Sequence, residues 1–244
     1  MQRYFIEENL IKENLIYVDD YNLKHMSKVM RYKNGDEVIC ILPDHKTYIY
    51  SIKDINEGIL ERKELLDVSH ELDVDITLVY ALVKGDKFEF VLQKATELGV
   101  KKVVPLNTIR SVIKTDQDKF SKKYERFNKI LKEAAEQSYR EYIPELTPLT
   151  NVKGLKEYLS DINLVAYEES SKQGESSNFY QFLHKPYQSI TIIVGPEGGF
   201  DQKEIDEMES MGIVPCSLGK RILRSETAPL YMLSVIGYSR ELEK

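Results

Sequence analysis

The first part of the chain alternates short apolar segments with turn signals. Segments rich in β-branched and aromatic residues are separated by motifs such as Asn34-Gly35-Asp36 and Pro43-Asp44. This pattern predicts strands at 4–6, 15–18, 37–42 and 47–52, and one short helix around 25–30. Several short strands within so few residues are typical of a small β-barrel.

From about residue 72 onward, the pattern changes to longer strands that alternate with helices. Asp75–Val83 is nearly all apolar, and Gly85-Asp86 then opens a helix with one apolar face. Further strands are predicted at 100–105, 164–167, 190–194 and 213–218, further helices at 118–139, 201–212 and 227–242, and a loop at Ser170–Ser177. The helix at 201–212 opens with Asp201 and has Glu204 three residues on, which predicts an Asp variant of the capping box. Strand–helix alternation predicts a mostly parallel sheet flanked by helices. The two patterns predict domains at 1–71 and 72–244.

One connection in the second domain has the character of a ligand-binding loop. Val194–Phe200 reads Val-Gly-Pro-Glu-Gly-Gly-Phe and follows a predicted buried strand, where ligands bind in parallel sheets. Its three glycines let the backbone approach a nucleoside or an anion closely. A tight structural turn is equally compatible with these residues. The segment is neither a P-loop nor a GxGxxG dinucleotide fingerprint, because the required lysine and spacing are missing.

A second connection, Leu218–Ala228, also leaves a strand and enters a helix, and it is unusually polar. Arg224 and Glu226 lie two residues apart and are placed to pair with each other or with a ligand. A plain helix start, with Glu226 and Thr227 at the N-terminus and Arg221 solvated, is equally compatible. Because both connections follow strands in the last third of the chain, we expect them to form one pocket.

Charge is distributed unevenly along the chain. The formal net charge is −6, yet residues 84–132 contain 13 lysines and arginines against 6 acidic residues. A basic zone within an acidic protein is able to bind RNA, because phosphates respond to the local field. A solvated helix face accounts for the same charges equally well.

Other features narrow the class of protein. No apolar run reaches the roughly 18 residues that span a membrane, and the N-terminus lacks a signal-peptide pattern. Cys40 and Cys216 lie in apolar runs, as free buried thiols do in a reduced compartment. The four histidines lack metal-ligand spacing. We therefore expect a cytoplasmic protein with no metal site and no membrane contact.

Several blocks of sequence, in order, resemble one family. Gly-Pro-Glu-Gly-Gly-Phe at 195–200, followed by Leu-Gly-Lys-Arg-Ile-Leu-Arg-Ser-Glu-Thr-Ala at 218–228, resembles the SPOUT methyltransferases. Within that class, the chain is similar to the ribosomal RNA small-subunit methyltransferase E family. Further blocks that resemble this family lie at 3–5, 29–36, 84–100 and 133–140. The resemblance therefore covers essentially the whole chain.

The resemblance implies an α/β fold in which a small N-terminal PUA-like β-barrel precedes a SPOUT domain with a deep trefoil knot. It implies a homodimer that uses S-adenosylmethionine to methylate N3 of a uridine in small-subunit (16S) ribosomal RNA, with that RNA or the 30S particle as partner. Carried over by motif, the cofactor-binding residues are Leu164, Gly195, Pro196, Glu197, Gly198, Gly199, Leu218, Gly219, Ile222, Leu223 and Arg224.

Candidate residues for RNA binding and catalysis come from the same resemblance. The RNA-binding candidates are Arg3, His25, Arg31, Lys84, Lys94, Arg110, Arg126 and Arg140. Uridine N3 carries a proton at neutral pH, so methyl transfer needs a base, or a cation that stabilises the uridine anion. No histidine lies in the two loops. We therefore expect Arg224 to stabilise the anion, with Glu226 as the second catalytic candidate.

Two alternative functions stay open at the level of the sequence. One is a SPOUT enzyme that methylates a ribose 2′-hydroxyl or a tRNA base, which the blocks at 84–100 and 133–140 disfavour. The other is a non-catalytic RNA-binding factor in ribosome assembly, which an intact cofactor loop disfavours. A P-loop nucleotide hydrolase is excluded, because the sequence has neither its lysine nor a Mg²⁺ carboxylate pattern.

Overall fold

A computed structural model describes residues 1–113, 115–169 and 178–243. The chain forms two compact units, residues 1–71 with 135–142 and residues 72–134 with 143–244. The segment 135–142, which the sequence places in the C-terminal domain, therefore packs with the N-terminal unit. The predicted loop at Ser170–Ser177 lies outside the described residues.

The first unit is built on a six-stranded sheet. Its strands are β1 (Arg3–Phe5), β2 (Ile11–Lys12), β3 (Leu15–Tyr17), β4 (Glu37–Ile41), β5 (Thr47–Asp54) and β6 (Ile59–Leu66). Their order is β1-β4-β5-β6-β3-β2, and every neighbouring pair is antiparallel except β1 with β4. The four predicted strands are confirmed. The sequence did not predict β2 and β6, and the charged run at 61–64 hides the apolar positions of β6.

A helical segment between β3 and β4 covers the core of this unit. Helix α1 (Asp20–Lys24) begins at Asp19, whose carboxylate accepts a hydrogen bond from the backbone N–H of Asn22. A π-helical turn (His25–Val29) follows directly. The core residues that alternate strand positions and this turn contribute are Tyr4, Ile16, Met26, Val38, Cys40, Tyr50, Ile52 and Leu60.

The second unit is built on a parallel sheet, as the sequence predicts. Its strands are β7 (Asp75–Ala81), β8 (Lys102–Asn107), β9 (Glu145–Leu146), β10 (Thr150–Asn151), β11 (Ile162–Ala166), β12 (Ser189–Val194) and β13 (Val214–Cys216). The order is β10-β8-β7-β12-β11-β13, with β9 also beside β8. Strands β7 and β12 lie at the centre, and burial on both faces explains their nearly continuous apolar sequences.

Helices pack on both faces of this sheet. They are α2 (Lys87–Glu97), α3 (Gln117–Ser121), α4 (Tyr124–Gln137), α5 (Asn178–Leu183), α6 (Gln202–Ser210) and α7 (Thr227–Glu241), with a 3₁₀-helix (Val152–Tyr158). The predicted single helix at 118–139 is therefore two helices. Alternate residues of β7 face the two layers. Leu78 and Tyr80 pack in the layer that contains α2 and α7, whereas Val79 packs with Ile205 and Met208 of α6.

The sheet order brings four distant connections to one edge. Strand β12 lies between β7 and β11, and β13 pairs with the other side of β11. Because these strands are parallel, the connections that follow Ala81, Ala166, Val194 and Cys216 share the carboxyl edge of the sheet. This edge is where a doubly wound sheet binds its ligand.

Candidate active site

The main cavity lies at the carboxyl edge of β11, β12 and β13 and has a volume of about 1000 Å³. Both loops singled out in the sequence line it, so the predicted single pocket is formed. The residues of the predicted cofactor set that line this cavity are Gly195, Pro196, Glu197, Gly198, Gly199, Leu218, Gly219, Ile222, Leu223 and Arg224. Both catalytic candidates, Arg224 and Glu226, also line it.

Leu164 is the one member of the predicted cofactor set that does not line this cavity, and its contact with a cofactor stays a prediction. Its side chain is fully buried in the core beneath the sheet edge and does not line the cavity. The third wall is supplied further along the same strand and loop, by Ala166, Tyr167 and Glu168. Leu164 lies two residues before the end of β11, and its side chain packs in the core on the face of the sheet that α2 and α7 cover.

The loop after β12 is both a tight turn and a pocket wall. The N–H of Gly199 donates to the carbonyl of Pro196 at 2.9 Å, and Gly199 has a φ of +65°. At Gly195, a Cβ atom would lie 3.0 Å from the ring of Phe200. Glycine at these positions therefore allows the chain to turn sharply while its backbone stays open to the cavity. The sequence left open whether this segment is a ligand-binding loop or a tight structural turn, and in the structure it is a tight turn that also lines the cavity.

Ser225 joins the loops that follow β12 and β13. Its hydroxyl is buried and donates to the carbonyl of Gly195 at 2.9 Å. The same oxygen lies 3.2 Å from the hydroxyl of Tyr80 on β7, which donates to it because the serine proton is already used. Burial raises the pKa of Tyr80 well above its ordinary value, so this phenol stays protonated as a donor. The residue thus fixes the distance between two loops of the pocket.

Lys87, the first residue of α2, forms ion pairs with both the loop after β12 and the connection after β13. Its Nζ lies 3.3 Å from Oε1 of Glu197 and 3.1 Å from Oε2 of Glu226. Burial tends to raise the pKa of Glu226, but hydrogen bonds to its own backbone and to Lys87 hold it below its ordinary value. Hydrogen bonding to Glu226 is the main cause that raises the pKa of Lys87. Glu226 and Lys87 are therefore both charged at neutral pH.

The start of α6 is tied to the segment that follows β8. Glu204 is buried and accepts hydrogen bonds from the N–H of Asp201 at 3.0 Å and from that of Ile109 at 2.8 Å. Asp201 in turn caps α6 and forms an ion pair with Arg110 at 3.1 Å. The capping box predicted from the sequence is confirmed, and it also anchors a second segment beside the cavity.

Two of the predicted RNA contacts, Arg3 and Arg140, need correction because their side chains are buried within the first unit. Arg3 forms an ion pair with Glu141 at 3.2 Å, and Arg140 forms one with Glu71. Each guanidinium is enclosed with a carboxylate partner, and leaving that partner alone in the interior is costly. We therefore assign both arginines to the packing of the unit rather than to phosphate binding.

The other predicted RNA contacts are at least partly exposed. Three have a carboxylate within ion-pair distance, namely Arg110 with Asp201, Arg126 with Glu89 and Lys94 with Glu97. Exposed pairs of this kind are weak, so a phosphate is able to compete for these cations. Lys84 and Arg31 are exposed, and neither has an ion-pair partner among the described residues. Nδ1 of His25 lies 2.9 Å from the hydroxyl of Tyr4.

Sequence reasoning did not assign Lys87, Tyr80 or Glu204 to the site. Lys87 lies inside the 84–100 block that resembles the family, but nothing in its spacing relates it to Glu226. The order of the strands brings these residues to their partners, and the pattern of residues along the chain does not encode that order directly.

Among the described residues, no helix is long and apolar enough to cross a membrane, and no three His, Cys, Asp or Glu side chains are grouped for a metal ion. Both cysteines are free and buried, as predicted.

The fold and the pocket are those of an RNA methyltransferase. The protein-family model for the RNA methyltransferase domain matches residues 70–237. The family model for the RNA methyltransferase PUA domain matches residues 18–62. The chain is 40% identical to Ribosomal RNA small subunit methyltransferase E of Bacillus subtilis, over 99% of this chain and 98% of that protein. The protein of the same name from Mesomycoplasma hyopneumoniae is 33% identical, over 96% and 98%. The chain therefore belongs to the ribosomal RNA small subunit methyltransferase E family, as its motifs imply.

Solved structures support the same assignment. Ribosomal RNA small subunit methyltransferase E from Neisseria gonorrhoeae, bound to S-adenosyl methionine, has a TM-score of 0.84 at 25% identity, over 97% of this chain and 96% of that one. A methyltransferase from Legionella pneumophila, in complex with the bound cofactor SAM, has a TM-score of 0.83 at 29% identity, over 96% of each chain. Both similarities extend over the two units of the chain.

Proposed function

We propose that this protein transfers a methyl group from S-adenosylmethionine to N3 of a uridine in small-subunit ribosomal RNA. The observation that supports this most directly is the pocket at the carboxyl edge of β11–β13, which both family motifs line. Relatives that carry the small-subunit methyltransferase name match the chain from end to end, and two similar structures hold the cofactor.

The residues of the pocket fit the cofactor. The cavity volume of about 1000 Å³ lies at the upper end of the range for small-molecule sites, roughly 300–1000 Å³. Beside Gly199 and Gly219, a Cβ atom would meet no other atom within 4 Å, so the backbone of both loops is accessible. We propose that Gly195–Gly199, Leu218, Gly219 and Ile222–Arg224 hold the cofactor, with Ala166–Glu168 as the third wall. When bound, the cofactor supplies an electrophilic methyl group on a positively charged sulfur.

Arg224 and Glu226 are suited to handle the proton on uridine N3. Arg224 is exposed at the cavity, and its charge helps to lower the pKa of Glu226. In this proposal, Arg224 stabilises the negative charge that develops on the uridine ring, and the ionised Glu226 accepts the proton from N3, which frees the N3 electron pair for the methyl group. Fixed charges aimed at developing charge are the most effective catalytic arrangement in a pocket that excludes water.

The decisive experiment is methyl transfer from labelled S-adenosylmethionine to small-subunit particles, small-subunit rRNA and tRNA, followed by nucleoside analysis. We expect label in 3-methyluridine from the small subunit. Label in tRNA or on a ribose would point to a different RNA target. Cofactor binding without transfer to any substrate would favour the non-catalytic assembly factor.

The Arg224→Ala variant tests the catalytic assignment. Removing one stabilising donor of this kind typically lowers kcat by about 100-fold or more. We therefore expect a loss of that size in kcat, measured at saturating cofactor and RNA, and partial recovery in Arg224→Lys. A kcat equal to that of the wild type would remove Arg224 from the mechanism.

The resemblance also supports proposals about the whole protein. We propose that it is a cytoplasmic homodimer, that its C-terminal part is knotted, and that Lys84, Lys94, Arg110, Arg126, Arg31 and His25 contact RNA. Exposed aromatic and apolar side chains at Tyr180, Tyr238 and Leu242 of the second unit are consistent with a partner surface. Light scattering after size-exclusion chromatography tests the dimer by its mass.

A further inference from the structure

The segment between Gly219 and Arg224 forms an exposed rim on the cavity. It leaves β13 through Gly219, which has a φ of +99°, and it ends at the buried Ser225. Lys220, Arg221 and Ile222 line the cavity and are all exposed, and 77% of Ile222 is accessible to solvent. The rim therefore has a fixed beginning and a fixed end, and its side chains lie in solvent beside the cavity.

Lys220 and Arg221 are the two cations in the exposed part of this rim. Across the described residues, neither Lys220 nor Arg221 has a carboxylate within ion-pair distance. Of the glutamates that line the cavity, Glu197 and Glu226 pair with Lys87, and Glu168 and Glu169 belong to its third wall. In a chain with a formal net charge of −6, the rim thus carries two adjacent cations that form no ion pair within the described part of the chain. Such a site attracts polyanions even when the whole protein is acidic.

Ile222 adds an apolar surface next to these cations. Because 77% of the Ile222 side chain is exposed, its packing within the protein contributes little hydrophobic stabilisation. Most of its apolar surface is left for contact with a ligand. A base that has been unstacked from an RNA strand offers a flat apolar face, and sequence-specific RNA recognition commonly uses such bases. Two adjacent cations followed by an apolar side chain offer contacts for the phosphates and the bases of a single strand.

We infer that the rim binds the RNA strand beside the target nucleotide. Lys220 and Arg221 contact its phosphates, for which the planar fork of an arginine is well suited, and Ile222 packs against an unstacked base. This inference rests on the proposed function. It deepens that function by assigning an RNA-contacting segment to residues that the family motif places in the cofactor loop.

The test is a double variant, Lys220→Ala with Arg221→Ala, whose binding to deproteinised small-subunit rRNA is measured at several salt concentrations. Each phosphate contact to a single strand contributes roughly 0.7 to the slope of log affinity against log salt, so two contacts contribute roughly 1.4. We expect the slope to fall by about that amount, and the affinity near 0.15 M salt to fall roughly tenfold. The KM for RNA should rise, whereas kcat and the Kd for S-adenosylmethionine should stay close to the wild-type values.

The matched control is Lys153→Ala with Lys156→Ala, which removes the same charge from an exposed 3₁₀-helix that does not line the cavity. A loss of affinity that is equal in the control would mean a general charge effect and would overturn the inference. An unchanged salt slope in the rim variant would also overturn it. So would a changed oligomeric mass, because the rim would then be a contact between copies of the chain.

A third variant, Ile222→Ser, separates the apolar contact from the charges. We expect its affinity for the RNA to fall several-fold with an unchanged salt slope, because stacking and packing contacts release no counterions. Wild-type RNA affinity in this variant would contradict the role of Ile222. The proposed function is tested separately, since it fails if the wild-type protein methylates no small-subunit RNA, whatever the rim variants do.

Discussion

At the level of single residues, Lys87 holds together two loops that come from different strands. One ammonium group lies within 3.3 Å of the carboxylates of both Glu197 and Glu226, and all three residues line the cavity. Without the lysine, two carboxylates of like charge would face each other across the pocket. The cation therefore sets the geometry of the cofactor loops as well as their charge.

We predict that Lys87→Met weakens binding of S-adenosylmethionine by roughly tenfold, which corresponds to about 1.4 kcal/mol of binding free energy. The loops lose their common partner, while the length of the side chain is kept. Isothermal titration calorimetry measures the change. Lys87→Arg keeps the charge and should recover most of the affinity. An unchanged Kd in Lys87→Met would contradict a positioning role.

The same variant gives a prediction about pH. The folded protein holds the pKa of Glu226 below its ordinary value of 4.5, so its charged form contributes stability above that value and loses it as the pH falls further. Lys87→Met removes the pairing and leaves burial to raise the pKa. The difference in unfolding free energy between wild type and variant should therefore be largest near neutral pH and shrink in acid. In a Glu226→Gln background this pH dependence should be smaller, because only the pairing of Lys87 with Glu197 is left.

Ser225 supports a prediction about stability. In Ser225→Ala, the buried carbonyl of Gly195 and the hydroxyl of Tyr80 both lose their partner, which typically costs about 1–3 kcal/mol. Urea unfolding followed by far-UV circular dichroism measures this loss. Tyr80→Phe removes only one donor and should cost less. A loss below about 0.5 kcal/mol, as for neutral surface substitutions, would contradict the role given to Ser225.

At the level of elements, α6 shows which features are encoded locally. The capping box of Asp201 and Glu204 joins residues three apart, so the sequence predicts it and the structure confirms it. The additional hydrogen bond from the N–H of Ile109 joins the segment after β8 to α6 and has no local signature. The carboxylate of Glu204 therefore accepts one backbone hydrogen bond at the start of α6 and another from a segment beside the cavity.

We predict that Glu204→Ala destabilises the protein by about 2 kcal/mol, because it removes half of a capping box and one buried hydrogen bond. Glu209→Ala is the matched control on the same helix, where the side chain is exposed and should matter little. Thermal or urea unfolding distinguishes the two variants. Equal effects in both would show that only the general helical charge matters.

The accuracy of the predicted elements follows from the strength of the local pattern. The apolar strands β7 and β12 and the amphipathic helix α2 were predicted because burial imposes a clear periodicity on them. Strand β6 was missed because its charged residues break the alternation. The predicted strand at 213–218 ends at Cys216, since Ser217 instead bonds with Gly219 to start the pocket loop.

At the level of the whole molecule, the chain completes its first unit with a segment that lies far away in sequence. Residues 135–142 pack with residues 1–71, and two buried ion pairs join them, Arg3 with Glu141 and Arg140 with Glu71. Glu141 also accepts a hydrogen bond from the N–H of His70. The folding of this unit therefore depends on a contact 138 residues apart.

We predict that Arg3→Met destabilises the protein by about 3 kcal/mol, because it removes the guanidinium that pairs with the buried carboxylate of Glu141. Adding Glu141→Gln, which removes the stranded charge, should recover part of the loss. Unfolding by urea measures both effects. The salt slope of RNA binding should stay unchanged in the folded variant, and a fall in that slope would restore Arg3 as a phosphate contact.

The sequence by itself determined the two kinds of architecture, the parallel sheet, the capped helix α6 and the loops that line the pocket, and its motifs indicated the family. Each of these depends on neighbouring residues or on ordered motifs. Only the tertiary structure decided that Lys87 joins Glu197 to Glu226, that Ser225 bonds to Gly195, that Leu164 is core, and that Arg3 and Arg140 are buried. These depend on strand order and on the packing of distant segments, because a residue's charge does not reveal which partner folding will bring to it.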